Sequence, residues 1–189
     1  MKKTILDYTL KVRVPLTIFV VAISFIITFY VSREERDGVG YQPEQPIHYS
    51  HKLHAGEMGI DCQYCHTGVT KERHALIPSV NICMNCHTVA RKDRPEIIKL
   101  REYYESGKLL PWKRVHKVPE YAYFNHSVHV NTGIDCESCH GNIREMEVVK
   151  QVKSFTMNAC LDCHREPKKY LPYISDVKEG PKYCAACHR

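Results

Sequence analysis

The sequence predicts short α-helices and loops, with one membrane-spanning helix near the N-terminus. Three observations lead to this fold class. The motif Cys-x-x-Cys-His occurs five times and uses all ten cysteines. Residues 14–31 form an apolar run without any charge. Elsewhere Pro, Gly, Asn and Asp interrupt the chain every few residues, which leaves room only for short helices.

The repeated motif is typical of covalent attachment of a c-type haem, whose vinyl groups react with the two thiols while the histidine binds the iron. Composition predicts roughly 0.03 copies in a chain of this length, so chance does not explain five. The predicted cofactors are five haem c groups, and the fold class is that of a multihaem cytochrome c wrapped around them. The first to fifth motifs are Cys62/Cys65/His66, Cys83/Cys86/His87, Cys136/Cys139/His140, Cys160/Cys163/His164 and Cys184/Cys187/His188.

Two other uses of cysteine compete with haem attachment. Disulfides suit an exported, cysteine-rich chain, but they require no histidine after every second cysteine. A zinc ribbon places two C-x-x-C pairs around one tetrahedral ion, and five pairs is an odd number. Both alternatives explain the pattern less completely than haem does.

The apolar run predicts a membrane anchor at residues 14–32. Its 18 uncharged positions approach the roughly 20 that span a bilayer. A cleaved signal peptide would have a shorter apolar region and a small-residue cleavage site. Here the run continues into "SREERDG", so the sequence favours an uncleaved signal anchor.

The charges around the anchor predict its orientation. Four basic residues precede it, whereas "REERD" behind it is nearly balanced. Basic residues stay on the cytoplasmic side. We therefore expect residues 1–13 in the cytoplasm, a single pass through the inner membrane, and residues 33–189 on the periplasmic side, where c-type haem is attached. The basic residues are Lys2, Lys3, Lys11 and Arg13.

The net charge of +6 does not indicate nucleic-acid binding. Only +3 remains in residues 32–189. Five haems would add about ten propionates, which are largely ionised near neutral pH. We therefore expect a near-neutral or acidic loaded domain, with no nucleic acid among its partners.

An internal repeat divides the outer domain. "SHKLHAGEMGIDCQYCHTG" at 50–68 aligns with "NHSVHVNTGIDCESCHGN" at 125–142, and each copy is followed by a further motif. This predicts two-haem units at 47–90 and 121–166, a helical connector at 91–120 and a terminal haem at 167–189. Within the connector, Pro95 and Gly107 are start and stop signals for a helix. Ile97, Leu100 and Tyr104 would share its packed face.

Histidines outside the motifs are candidates for the second axial position of each iron. His51 and His54, like His126 and His129, are three residues apart and would project from one side of a helical turn. They could reach different irons, although paired surface histidines are an alternative. For the fifth iron the candidates are His116, then His74 and Met157, with His48 weaker.

The repeat of His-x-x-His followed by Gly-Ile-Asp-Cys-x-x-Cys-His resembles the class III multihaem cytochromes c. That resemblance implies that the first histidine of each pair serves the haem attached just downstream. His51 would then pair with His66, and His126 with His140. The second histidine of each pair would serve another haem.

Residues 14–189 as a whole are similar to the pentahaem, membrane-anchored subunit of alternative complex III, a quinol:electron acceptor oxidoreductase. The segments "PSVNICMNCH", "PEIIKLREYYESG", "WKRVHKVPEYAYFNHSVH" and "MNACLDCHREP" carry the likeness. It implies partners in the membrane: an iron-sulfur subunit, a monohaem cytochrome c and polytopic subunits that hold the quinol site.

These features predict an electron-transfer subunit without a catalytic acid or base of its own. It would relay single electrons from a quinol-oxidising complex to a periplasmic carrier or an oxidase. One alternative is a stand-alone multihaem quinol dehydrogenase. The other is a small-molecule reductase with one open haem, for which Lys113, Arg114 and residues 121–123 could supply a basic, aromatic pocket.

Overall fold

The computed structural model describes residues 2–31 and 38–189. It divides into two compact units, with the boundary between Asp37 and Gly38. The end of the predicted anchor at residue 32, the start of the outer domain at residue 33 and the "REERD" stretch lie outside the described residues.

The first unit is helical throughout its described part. Helix α1 (Lys2–Tyr8) passes through a π-helical turn (Thr9–Arg13) into α2 (Val14–Val31). The 27 residues Ile5–Val31 have a mean hydropathy of 2.4 and are long and apolar enough to cross a membrane. At 1.5 Å per residue they span about 40 Å, more than the roughly 30 Å hydrocarbon core. The expected N-terminal apolar helix is therefore present, and both an anchor and a signal sequence have this form.

The second unit consists of short helices joined by loops, and its described residues contain no β-strand. No helix in it is longer than the 12 residues of α5. The elements in chain order are a π-helical turn (Lys52–Glu57), α3 (Cys62–Cys65), α4 (Val80–His87), α5 (Pro95–Ser106), α6 (His126–Asn131), α7 (Glu137–His140), a 3₁₀ turn (Ile143–Glu145), α8 (Met157–Arg165), α9 (Pro167–Tyr170) and α10 (Cys184–Cys187).

Helix α5 confirms the predicted connector helix. Pro95 occupies its first turn, where a missing N–H costs no hydrogen bond, and Gly107 ends it in the left-handed conformation at φ 66°. Ile97 and Leu100 face inward as expected. Tyr104 is 47% exposed, because the apolar cluster ends before the last turn of the helix.

The apolar core of the protein atoms is small. Its main cluster is built from Ile47, Met84 and Leu100, with five partly buried side chains against it: Val80, Cys83, Ile97, Leu110 and Trp112. Six further described residues are buried elsewhere in the second unit: Ala55, Gly68, Val69, Pro167, Leu171 and the polar Gln151.

Candidate haem sites

Each Cys-x-x-Cys-His motif lies on a short helix. The motifs fall on α3, α4, α7, α8 and α10, with the motif histidine at the last turn or just after it. Asp61 caps α3 by accepting the Gln63 N–H at 2.7 Å. Thr156 caps α8 through the Ala159 N–H. One helical turn places both thiols and the imidazole of a motif on the same side of the chain.

Four of the five motif histidines are held by a backbone carbonyl. Because a carbonyl oxygen can only accept, Nδ1 must carry the proton, and the lone pair of Nε2 is free for a metal ion. The Nδ1–H groups donate from His66 to Leu76 O at 2.7 Å, from His87 to Ala90 O at 3.0 Å, from His164 to Pro181 O at 2.8 Å and from His188 to Tyr121 O at 3.0 Å.

The structure brings each histidine of the two pairs against a different motif histidine. Ring centres are 6.2–6.5 Å apart in all four cases. The pairs are His51 with His66 (6.5 Å, rings parallel within 3°), His54 with His87 (6.2 Å, 62°), His126 with His140 (6.5 Å, 6°) and His129 with His164 (6.2 Å, 21°). One turn of chain therefore reaches two motifs.

This spacing suits a metal ion between the rings. An imidazole nitrogen binds a metal at about 2.0 Å and lies about 1.1 Å from its ring centre, so two imidazoles on opposite faces of one ion have centres about 6.2 Å apart. A single aromatic pair at this distance would be unremarkable. Four pairs, each joining one motif histidine to one histidine of a repeat, fit the second axial positions of four haems.

Burial favours the neutral form of four of these imidazoles, the form in which a histidine binds a metal. It lowers the pKa of His51 to about 4 and that of His140 to about 3, with neighbouring histidines adding to the effect. Burial likewise lowers the pKa values of His126 and His129. At neutral pH each of these rings has a lone pair to offer.

The cysteines do not form the alternatives considered from the sequence. All ten are free thiols. Among the described residues, no group of three or more histidine, cysteine or acidic side chains converges on one point, as a protein-built zinc site requires. Burial raises the pKa of Cys139, and it raises that of Cys136 to about 11, so these thiols are not activated nucleophiles.

The ten cysteines differ in exposure. Cys86 of the second motif is exposed, as are Cys160 and Cys184, whereas the other seven are only partly exposed. The two cysteines of α4 differ in exposure because Cys83 packs against the apolar cluster, whereas Cys86 does not belong to that cluster. The structure thus places Cys86 at the surface and not within a packed site. A thioether needs only that the thiol reach the porphyrin edge, so attachment at Cys86 stays a prediction.

An aromatic residue packs identically on both histidine pairs. Tyr49 meets the His51 ring edge-on (4.8 Å, 87°) and lies over His54 (4.4 Å, 24°). Phe124 does the same with His126 (4.8 Å, 86°) and His129 (4.5 Å, 30°). We did not single out these residues from the sequence. The signal was present, because both stand two positions before the first histidine of the repeat.

The candidates for the fifth iron are placed elsewhere. His116 contacts His140 and Phe155. His48 lies between Glu44 and Glu96. His74 is exposed, as is Met157 at the start of α8. Among the described residues, the aromatic ring against His188 is that of Tyr121.

Comparison with known proteins fits this geometry. Residues 122–189 match the family described as cytochrome c7 and related cytochrome c. This segment is similar to the multihaem cytochromes of that family. The match covers the third, fourth and fifth motifs, and it supports covalent binding of haem c at these motifs.

A curated relative extends the likeness. Over 100 residues the chain is 36% identical to a protein of Nitratidesulfovibrio vulgaris (strain Hildenborough) named menaquinone reductase, multiheme cytochrome c subunit. The alignment covers 52% of this chain and 47% of the relative. The chain thus spans about half the length of the curated relative it matches.

Proposed function

We propose that the chain is a multihaem cytochrome c that serves as the electron-transfer subunit of a membrane complex that oxidises quinol. It carries electrons through five haems to a downstream acceptor. The single observation behind this is the set of four histidine pairs with a gap of one metal ion between their rings. When bound, each haem supplies a one-electron redox centre whose potential depends on its axial ligands and its burial. Paired histidines, without the methionine that raises the potential, suit exchange with a quinol.

The two histidine turns support adjacent sites. His51 and His54 lie three residues apart, yet they face the first and second motifs respectively. His126 and His129 on α6 face the third and fourth motifs in the same way. In our proposal the first haem therefore neighbours the second, and the third neighbours the fourth.

The cysteines support the remaining junctions. Burial acts together with Cys62 to raise the pKa of Cys136, so the first and third motifs lie close together. Cys187 acts together with partial burial to raise the pKa of Cys160, so the fourth and fifth motifs are also close. The proposed order along the path is second, first, third, fourth and fifth, which differs from the order in the sequence.

The partners in this proposal are membrane subunits. They are an iron-sulfur subunit, a monohaem cytochrome c and polytopic subunits with the quinol site, as in alternative complex III. The helix Ile5–Val31 would anchor the chain in the lipid of the inner membrane, with residues 38–189 outside. A cleavable signal in place of residues 1–31 should then release a haem-loaded domain into the soluble fraction.

A second candidate runs electrons in the opposite direction. It is favoured by the relative, whose name assigns it to a menaquinone reductase. The purified complex can be mixed rapidly with menaquinol or with a reduced periplasmic cytochrome. Reduction of the haems by menaquinol at a kinetically competent rate supports our first proposal. Reduction by the added periplasmic cytochrome but not by menaquinol supports the second.

The isolated chain gives the controls for both candidates. Mass spectrometry of the intact protein should show five covalent haems. Quinol oxidation by the isolated chain would contradict the need for partner subunits and support a stand-alone dehydrogenase. Turnover of nitrite would support the small-molecule reductase.

A further inference from the structure

The third motif lacks the contact that fixes the other four motif histidines. The Nδ1 atom of His140 is buried and has no hydrogen-bond partner. Its ring touches that of His116, with centres 4.3 Å apart and planes at 89°. The Nε2 atom of His116 is also buried and without a partner. Two unsatisfied imidazole nitrogens therefore belong to rings in direct contact, and leaving both unpaired costs free energy.

A haem iron on Nε2 of His140 determines what its Nδ1 can do. A neutral imidazole carries one proton, so a ring that binds a metal through Nε2 keeps that proton on Nδ1. His140 lies opposite His126, with ring centres 6.5 Å apart. In the proposed site His140 therefore has an Nδ1–H to donate, and the unpaired nitrogen of the ring in contact with it is Nε2 of His116.

The surrounding segment holds His116 in place. The backbone N–H of the next residue, Lys117, donates to Gln151 Oε1 at 3.3 Å. Gln151 is fully buried, and its Nε2 donates to Lys153 O at 3.0 Å. Arg114 Nε donates to His116 O at 3.1 Å. His116 is thus tied to the chain that follows the third motif, at the side of His140.

We propose that His116 is a positioning residue for the third haem site: its Nε2 accepts the Nδ1–H of His140, and it is not an iron ligand of the fifth haem. An acceptor on the far nitrogen of a metal-bound imidazole fixes the ring and raises its basicity. A more basic ligand stabilises the oxidised metal, which lowers the reduction potential of that one haem. The inference rests on the proposed function only in requiring a haem at the third motif.

The test uses the haem-loaded full chain in detergent, three variants, and His126→Leu as a reference for the third haem. His116→Leu removes the acceptor, His116→Gln retains one, and His48→Gln is the matched control at an exposed histidine. The third haem is identified as the one that becomes high-spin in His126→Leu. The readouts are the spin state of each haem by electron paramagnetic resonance and its midpoint potential by spectroscopic titration.

We expect the native number of low-spin haems in all three variants. In His116→Leu the reduction equilibrium of the third haem should shift toward the reduced state by about threefold, the lower end of a hydrogen bond's net worth. At 59 mV per tenfold for one electron this is about 30 mV. His116→Gln should recover most of the shift, and His48→Gln should show none.

Three results would overturn the proposal. A new high-spin haem in His116→Leu would make His116 an iron ligand. Equal shifts of the third haem's midpoint potential in the Leu and Gln variants, or no shift in either, would show that the hydrogen bond does not exist. A shift confined to the first haem would assign the bond to His51, whose Nδ1 is also buried without a partner. If His116→Leu does not load haem, His116→Ala takes its place.

Failure of the proposed function has a different signature. In that case mass spectrometry of haem peptides would find no haem on Cys136 and Cys139 in the native chain. The two failures can therefore be told apart.

Discussion

Replacement of His129 by leucine tests the crossing of ligands between motifs. His129 lies seven residues before the third motif, but its ring is 6.2 Å from His164 of the fourth. Its Nδ1–H donates to Asn125 O at 2.7 Å, which leaves the lone pair of Nε2 available for iron. Leucine cannot bind iron, so the fourth haem should lose its second ligand. One haem in five, or about 20% of the total, should change from low spin to high spin.

Electron paramagnetic resonance and absorption of the oxidised, haem-loaded chain measure this fraction. Val128→Ala, on the same helix with a side chain 59% exposed, is the control and should keep every haem low-spin. The assignment comes from a second background, in which Cys160 and Cys163 are replaced by alanine. His129→Leu should produce no high-spin haem there. If it still does, the ligand serves another motif and the pairing we infer is wrong.

Three further substitutions probe the protein scaffold. Thermal unfolding of the loaded chain is the measurement for the first two, and haem content is the measurement for the third. Leu100→Ala, at a side chain 4% exposed, should lower the free energy of unfolding by about 2–4 kcal/mol. The control is Ile98→Ala on the same helix, where the side chain is 46% exposed and the change should be less than about 0.5 kcal/mol. Equal effects of the two substitutions would contradict the place of Leu100 in the core. Gln151→Leu should cost about 1–3 kcal/mol, because it leaves the partners of a fully buried amide unsatisfied, and an unchanged melting temperature would refute this. Gly141→Ala should impair haem loading at the third motif, since φ is +70° and a Cβ would overlap Val152. Normal haem content in mass spectrometry of the haem peptides would show that the site tolerates both the strained backbone and the added methyl group.

The local features of this protein could be predicted from the sequence. A helix from Pro95 to Ser106 follows from a proline start and a glycine stop within one segment. The histidine pairs could be identified because their spacing recurs ahead of two motifs. Such signals depend on neighbours in the chain, and tertiary packing did not override them.

Contacts between distant segments could not be predicted. The partner of His66 is the carbonyl of Leu76, and every residue has a carbonyl, so no pattern of residue types points to it. The position of His116 beside His140 depends on how the chain folds back at Gln151. His116 was one of several candidate histidines, and the sequence did not show whether its partner is an iron or another imidazole.

The pairing of His129 with His164 has a consequence for the unfolded chain. A haem attached at the fourth motif and coordinated by His129, as we propose, would close a loop, here the segment 129–164. For a covalent cross-link, closing a loop of about 15 residues removes about 3 kcal/mol of unfolded-state entropy, and the value rises only logarithmically with length. Iron ligation is weaker and reversible, but four such closures would confine the same chain at four places. The small apolar cluster around Leu100 would then be enough to stabilise the fold, because ligation would already have lowered the conformational entropy of the unfolded chain.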